Sequence, residues 1–245
     1  LKLAVAGKGG VGKTTLVALL AREAAARGWR VLAVDADPDA NLAATLGIQA
    51  PIVPLAEQEV LIAQRAGREG LVKLNPTVDD IPERYWVEHQ GVRLLVLGGI
   101  GKGGGGCACP ANAFLRALLR HLVLRRDEMV LVDMEAGIEH LGRGTAQGVD
   151  ALLVVVDPDA RSLDTAVRTL RLAGELGLER AFAVANKVRD EDDEAFIREG
   201  LPPGLSLLGS LPFREDLWLP GRGGLPPAPP QIKTLLSELF RLTQP

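Results

Sequence analysis

The chain reads as an α/β protein, a single P-loop NTPase domain over residues 1–245 with a mostly parallel central sheet and helices on both faces. Three observations predict this. Short, near-continuous apolar runs alternate with helix-period segments along most of the chain. Acids, Asn or glycines close most of these runs, at the carboxyl strand ends where such sheets bind ligands. The first run leads into Gly7-Lys8-Gly9-Gly10-Val11-Gly12-Lys13-Thr14-Thr15, which fits the phosphate-loop pattern G-x-x-x-x-G-K-[ST].

The elements follow in order. Leu3 to Ala6 is a short buried strand, and Leu16, Leu19, Leu20 and Ala24 recur at helical spacing behind the glycine loop. Arg30 to Val34 is a strand ending at Asp35, Val92 to Leu97 one ending in glycines, and Met129 to Val132 one ending at Asp133. Ala151 to Val156 ends at Asp157, Arg180 to Ala185 ends at Asn186, and Leu205 to Ser210 is the last. Helical patterns fall near Ala113–Leu124, Leu163–Leu176, Glu191–Arg198 and Ile232–Leu242. Residues 50–91, broken by Pro51, Pro54, Pro76 and Pro82, read as a helical insertion with loops. Residues 217–230, rich in Pro and Gly, read as a surface segment before the final helix.

Composition narrows the function. A chain of 245 residues, 47% hydrophobic and 24% charged, fits one sizeable core. A net charge of −3 gives no electrostatic case for nucleic acid, and no apolar run reaches a membrane span. Two cysteines argue against a disulfide framework, and the chain opens into a strand with no room for a signal peptide, so a cytoplasmic location is expected.

The chemistry starts at the loop. Its glycines, Gly9, Gly10 and Gly12, let N–H groups, including those of Val11 and Thr15, turn inward around a polyphosphate at a helix N-terminus. Lys13 is expected at the β- and γ-phosphates and the Thr14 hydroxyl on Mg²⁺. Lys8 is a second loop lysine in an arginine-rich chain, placed to reach a second copy's nucleotide in trans, as an arginine finger does. Asp35-Ala36-Asp37-Pro38 puts two carboxylates past a strand end: Asp37 is assigned to the attacking water and Asp35 to the Mg²⁺ shell. Val130-Leu131-Val132-Asp133 has the Walker B form, its acid holding Mg²⁺ through water. Gly137 can bring a backbone N–H to the γ-phosphate, in a segment that hydrolysis would release. Glu135, Glu139 and His140 share that segment; the histidine reads as structural rather than as a ligand.

For the base, Asn186-Lys187-Val188-Arg189 resembles the guanine-reading Asn-Lys-x-Asp but carries arginine fourth, which moves the reading from guanine to adenine, hence ATP and ADP. Pro212, with Phe213 and Arg214, is a second candidate base contact.

Both cysteines of the chain lie in Gly103-Gly104-Gly105-Gly106-Cys107-Ala108-Cys109-Pro110, within a loop of about residues 99–112. Two thiolates suit Zn²⁺, Ni²⁺ or iron–sulfur chemistry, which usually wants four ligands; two chains about a two-fold axis would supply them. Two free thiols or a redox disulfide stay as alternatives.

Taken together, the loop with Lys8, Asp35-Ala36-Asp37-Pro38, Cys107-Ala108-Cys109, the Asp133–Leu141 segment and Asn186–Arg189 resemble the CooC family. These are the nickel-insertion ATPases of carbon monoxide dehydrogenase maturation, within the MinD/ParA and nitrogenase-iron-protein group. The resemblance covers the chain to about residue 215. It implies a homodimer bridged by metal and ATP, Lys8 completing the partner's site, and Ni²⁺ (or competing Zn²⁺) held by Cys107 and Cys109 of both subunits. It also implies a client nickel enzyme, carbon monoxide dehydrogenase or the related acetyl-CoA synthase. Two rival functions carry different signatures. A MinD/ParA-like positioning ATPase would bind membrane or DNA, and an iron–sulfur electron carrier would hold a cluster on the same sulfurs.

Overall fold

The computed structural model describes residues 1–68, 71–99, 110–125, 128–138, 141–218 and 225–243. The strands are β1 (Lys2–Gly7), β2 (Val31–Ala36), β3 (Gly67–Arg68), β4 (Leu71–Val72), β5 (Val87–His89), β6 (Val92–Val96), β7 (Met129–Met134), β8 (Ala151–Val156), β9 (Ala181–Val188) and β10 (Ser206–Pro212). The helices are α1 (Lys13–Ala26), α2 (Leu42–Leu46), α3 (Glu59–Ala66), α4 (Ile81–Tyr85), α5 (Pro110–Arg125), α6 (Gly142–Ala146), α7 (Ala160–Leu176), α8 (Glu191–Gly200), α9 (Glu215–Trp218) and α10 (Pro230–Thr243).

Eight strands form one sheet in the order β10-β9-β8-β1-β7-β2-β6-β5. Every pairing in it is parallel except the edge pair β5–β6. Alternation along each strand builds the two cores. Ala4 and Ala6 of β1 join a cluster with α3, α5 and α7, while Leu3 and Val5 join one with α1 and α10. The sheet is therefore covered on both faces, which is why its central strands are apolar apart from Asp35 and Asp133 toward the carboxyl ends of β2 and β7.

The order also fixes the site. β1 lies between β8 and β7, so the loop after β1 emerges beside Asp157 and Asp133, the acids at or near those strands' ends. Register places Val5 across from Asp133, and Asp133 across from Asp35. The glycine loop and both strand-end acids thus converge with no further constraint from the helices.

The insertion at 50–91 is more mixed than the helical reading of it. It carries α3 and α4, but also the small β3–β4 hairpin and the antiparallel edge strand β5. Among the described residues no helix is long and apolar enough to cross a membrane. Cys107 and Cys109, with most of the 99–112 loop, lie outside the described residues, as do Glu139, His140 and residues 219–224 of the Pro/Gly segment.

Candidate active site

Gly7 ends β1 with φ +143°, and a Cβ there would overlap the Val155 carbonyl oxygen of the neighbouring strand. Gly12 caps α1 in the left-handed region, φ +101°, and a Cβ there would overlap the Asn186 amide nitrogen. These two positions require glycine on both conformational and steric grounds. Between them the loop closes on itself: the Val11 N–H and the Lys13 ammonium both donate to the Lys8 carbonyl, at 3.3 and 3.4 Å.

The loop opens onto a cavity of about 370 Å³. Gly9, Gly10, Gly12, Lys13, Thr14 and Thr15 line it from the phosphate loop, and Asp37 lines it from the turn after β2. Asn186, Lys187 and Pro212 line it as well, so most of the expected nucleotide residues meet in one cavity. Gly137, Asp35 and Asp133 do not line it; the two acids lie buried beneath. Sequence reading passed over Asp39, Asn41, Leu217 and Pro229, which also line it. Their one signal was position, just after an acid-ended strand or within the Pro/Gly segment.

Asn186 and Lys187 brace the loop. The Asn186 Nδ2 donates to the Val11 carbonyl at 2.8 Å, and the Lys187 Nζ donates to the Gly10 carbonyl at 2.7 Å. With its nitrogen committed, Asn186 keeps its amide oxygen as an acceptor, the group that an exocyclic base amine needs. Arg189, standing where a guanine reader has aspartate, lies over the Phe213 ring at 4.9 Å. Burial pushes the Lys187 ammonium down, with Asp157 at 3.9 Å opposing the shift. One Asp157 oxygen is buried without a hydrogen bond.

Lys8 is ion-paired within its own chain, to Asp159. Asp159 is also the N-cap of α7, accepting the Arg161 N–H at 2.9 Å, and the Lys8 ammonium foremost holds its carboxyl down at about 2.

The two strand-end acids behave differently. Asp35, 0% exposed, accepts the N–H of Asp37 at 3.2 Å and of Leu42 at 2.9 Å. Burial still pushes it up to about 6. Asp133, 1% exposed, has no completed hydrogen bond on either oxygen, and burial pushes it up to about 7, against the pull of Thr14 and Lys13. Two orphaned carboxylate oxygens beside Thr14 and the lysine fit a hard cation with oxygen ligands, so Thr14 and Asp133 are the residues that would hold Mg²⁺. Bound there, Mg²⁺ would offset phosphate charge. Among the described residues no group of three or more His, Cys, Asp or Glu could hold a metal.

The chain was compared with known proteins. The family model of the CobQ/CobB/MinD/ParA nucleotide-binding domain matches residues 2–226. The chain belongs to that family. It is 45% identical over 233 residues to the carbon monoxide dehydrogenase accessory protein CooC of Rhodospirillum rubrum, covering 92% of this chain and 88% of that one. That identity places it in the CooC family. An uncharacterized ATP-binding protein of Methanocaldococcus jannaschii is 44% identical over 225 residues, covering 89% and 87%. Among solved structures, the MinD cell division protein of Aquifex aeolicus superposes with a TM-score of 0.69 at 24% identity, over 100% of this chain and 99% of that one. MinD of Pyrococcus horikoshii, complexed with Mg-ADP, gives 0.66 at 22%, over 98% and 96%. These two show the shared fold. Family and phosphate loop together make the CooC-family chain a Mg²⁺-dependent ATPase.

Proposed function

We propose that the protein is an ATP-dependent metallochaperone that binds Ni²⁺ between two subunits and inserts it into carbon monoxide dehydrogenase or the related acetyl-CoA synthase. The observation that carries this reading is the 45% identity to CooC over nearly the whole chain, in a sequence that also has the Cys107-Ala108-Cys109 loop. Nickel, or Zn²⁺ in its place, is the cargo, held by two thiolates from each subunit. The reaction belongs in the cytoplasm.

Each side chain has a place in the scheme. Lys13 and the N–H groups of Gly9 to Thr15 hold the phosphates, and the Asn186 oxygen and the Pro212 loop receive the adenine. Asp37 orients the water for attack on the γ-phosphorus and takes its proton. Lys8 leaves Asp159 and crosses to the partner's nucleotide, which stabilises charge on the transferring phosphoryl group. Gly137 follows the γ-phosphate, and its release moves the dimer interface and the cysteines with it.

The test is activation of nickel-free carbon monoxide dehydrogenase by the Ni²⁺-loaded protein. ATP-dependent activation that Cys107→Ser/Cys109→Ser abolishes supports the proposal. Strong ATP-dependent pelleting with DNA or liposomes, without activation, favours the positioning ATPase. A cluster charge-transfer spectrum after anaerobic purification favours the electron carrier.

A further inference from the structure

Asp35 lies under the loop that carries Asp37, and its bonds run to that loop. Its carboxylate accepts one N–H at each end of the 37–42 turn, from Asp37 and from Leu42, the first residue of α2. Within the turn the Asp37 carboxylate accepts the Asp39 N–H at 2.9 Å, and the Ala40 N–H reaches the Asp37 carbonyl at 3.1 Å. Ala40 is held at φ +47°, a left-handed conformation that a residue with a Cβ adopts only under constraint. Asp37, Asp39 and Asn41 from this turn all line the nucleotide cavity, while Asp35 does not.

A fully buried carboxylate with its oxygens on backbone donors is an internal brace. Metal coordination does not require such a pattern. A free turn would relax at Ala40 and carry the Asp37 side chain away from the phosphates. We infer that Asp35 is a positioning residue for hydrolysis, its carboxylate bracing the strained 37–42 turn so that Asp37 faces the attacking water. This rests on reading Asp37 as the group that orients that water.

Asp35→Asn is nearly isosteric and keeps one acceptor oxygen while replacing the other with a donor. The expected result is a kcat about 10-fold lower or more, because a misplacement of about 1 Å costs up to roughly 100-fold. KM for ATP and half-saturation by Mg²⁺ stay within about 2-fold, since uniform binding is untouched. In an Asp37→Ala background the same change adds nothing, as residues acting through one another are non-additive. Amide exchange at Asp37 and Leu42 is slow in the wild type, and at least one of the two becomes fast in Asp35→Asn, which has a single acceptor oxygen left. Loss of Mg²⁺ or ATP affinity at unchanged kcat would overturn the inference, as would full additivity with Asp37→Ala. Fast exchange of both amides in the wild type would overturn it too, whether or not the variant folds. If Asp37→Ala alone keeps its kcat, the reading of Asp37 fails, while the amide exchange still reports on the brace.

Discussion

Asp133→Asn should make the protein inactive and more stable at once. With Mg²⁺ removed by EDTA, the wild type carries a buried carboxylate whose pKa is raised from 3.8 to about 7. The shift is about 3 units, and each unit corresponds to about 1.4 kcal/mol. Above pH 7 the ionised side chain therefore costs about 4 kcal/mol. Asparagine removes that cost but leaves a buried amide short of partners, worth about 2 kcal/mol in the other direction. The net gain is about 2 kcal/mol, or about 4–8 °C for a chain of this size. The sign follows from proton linkage. The folded state holds its proton to a higher pH than the unfolded state, so wild-type stability is greatest below about pH 4 for this group and is lost as pH rises through about 7. Asp35, raised to about 6, adds a slope of the same sign to both proteins. The assay is thermal denaturation in EDTA from pH 5 to pH 8, repeated with Mg²⁺ and ATP, alongside phosphate release. The wild type should lose stability toward pH 8 more steeply than the variant, and Mg²⁺ with ATP should stabilise the wild type alone. A variant less stable than wild type at pH 8, with the same pH slope, would refute the reasoning.

Asp159→Asn keeps a good N-cap for α7 while removing the charge that holds Lys8. Because the Asp159 carboxyl sits at about 2, the pair should survive acidification to about pH 4 and fail as pH falls on toward 2. The variant should form ATP-bound dimers at lower protein concentration by light scattering; an unchanged midpoint would remove Asp159 as a restraint on Lys8. Gly12→Ala should abolish fluorescent-nucleotide binding, because the new methyl overlaps Asn186 and the residue is forced into φ +101°. Lys187→Met should raise KM for ATP about 5-fold through loss of the Gly10 hydrogen bond, a loss of about 1 kcal/mol, with kcat nearly intact.

The sheet was legible because its strands are buried on both faces. Ala151–Val156 reads as six apolar residues and is a strand at those bounds. Edges were less legible. Val87–His89 is short and half-exposed, and only pairing with Val92–Val96 makes it a strand. The nucleotide residues were legible where a motif names them. Motifs do not say what an atom bonds to, however. Asn186 was expected at a base edge, and nothing in the sequence shows that its nitrogen also braces Val11, a contact across 175 residues of chain. Asp35 was read as a metal-shell acid because it ends a strand, and its hydrogen bonds to the Asp37 and Leu42 N–H groups of the next turn were not legible. Asp159 drew no attention at all, since nothing local in Asp157-Pro158-Asp159 shows that β8 lies beside the phosphate loop.

The claim that nickel is the cargo rests on two cysteines, and an anaerobic equilibrium titration with Ni²⁺, with molar mass followed by light scattering, tests it most directly. Wild type should bind one Ni²⁺ per two chains and dimerise as it does so, and Cys107→Ser/Cys109→Ser should do neither. Binding that ignores the cysteines, with ATP alone driving dimerisation, would contradict the metallochaperone and leave a positioning ATPase on the same fold.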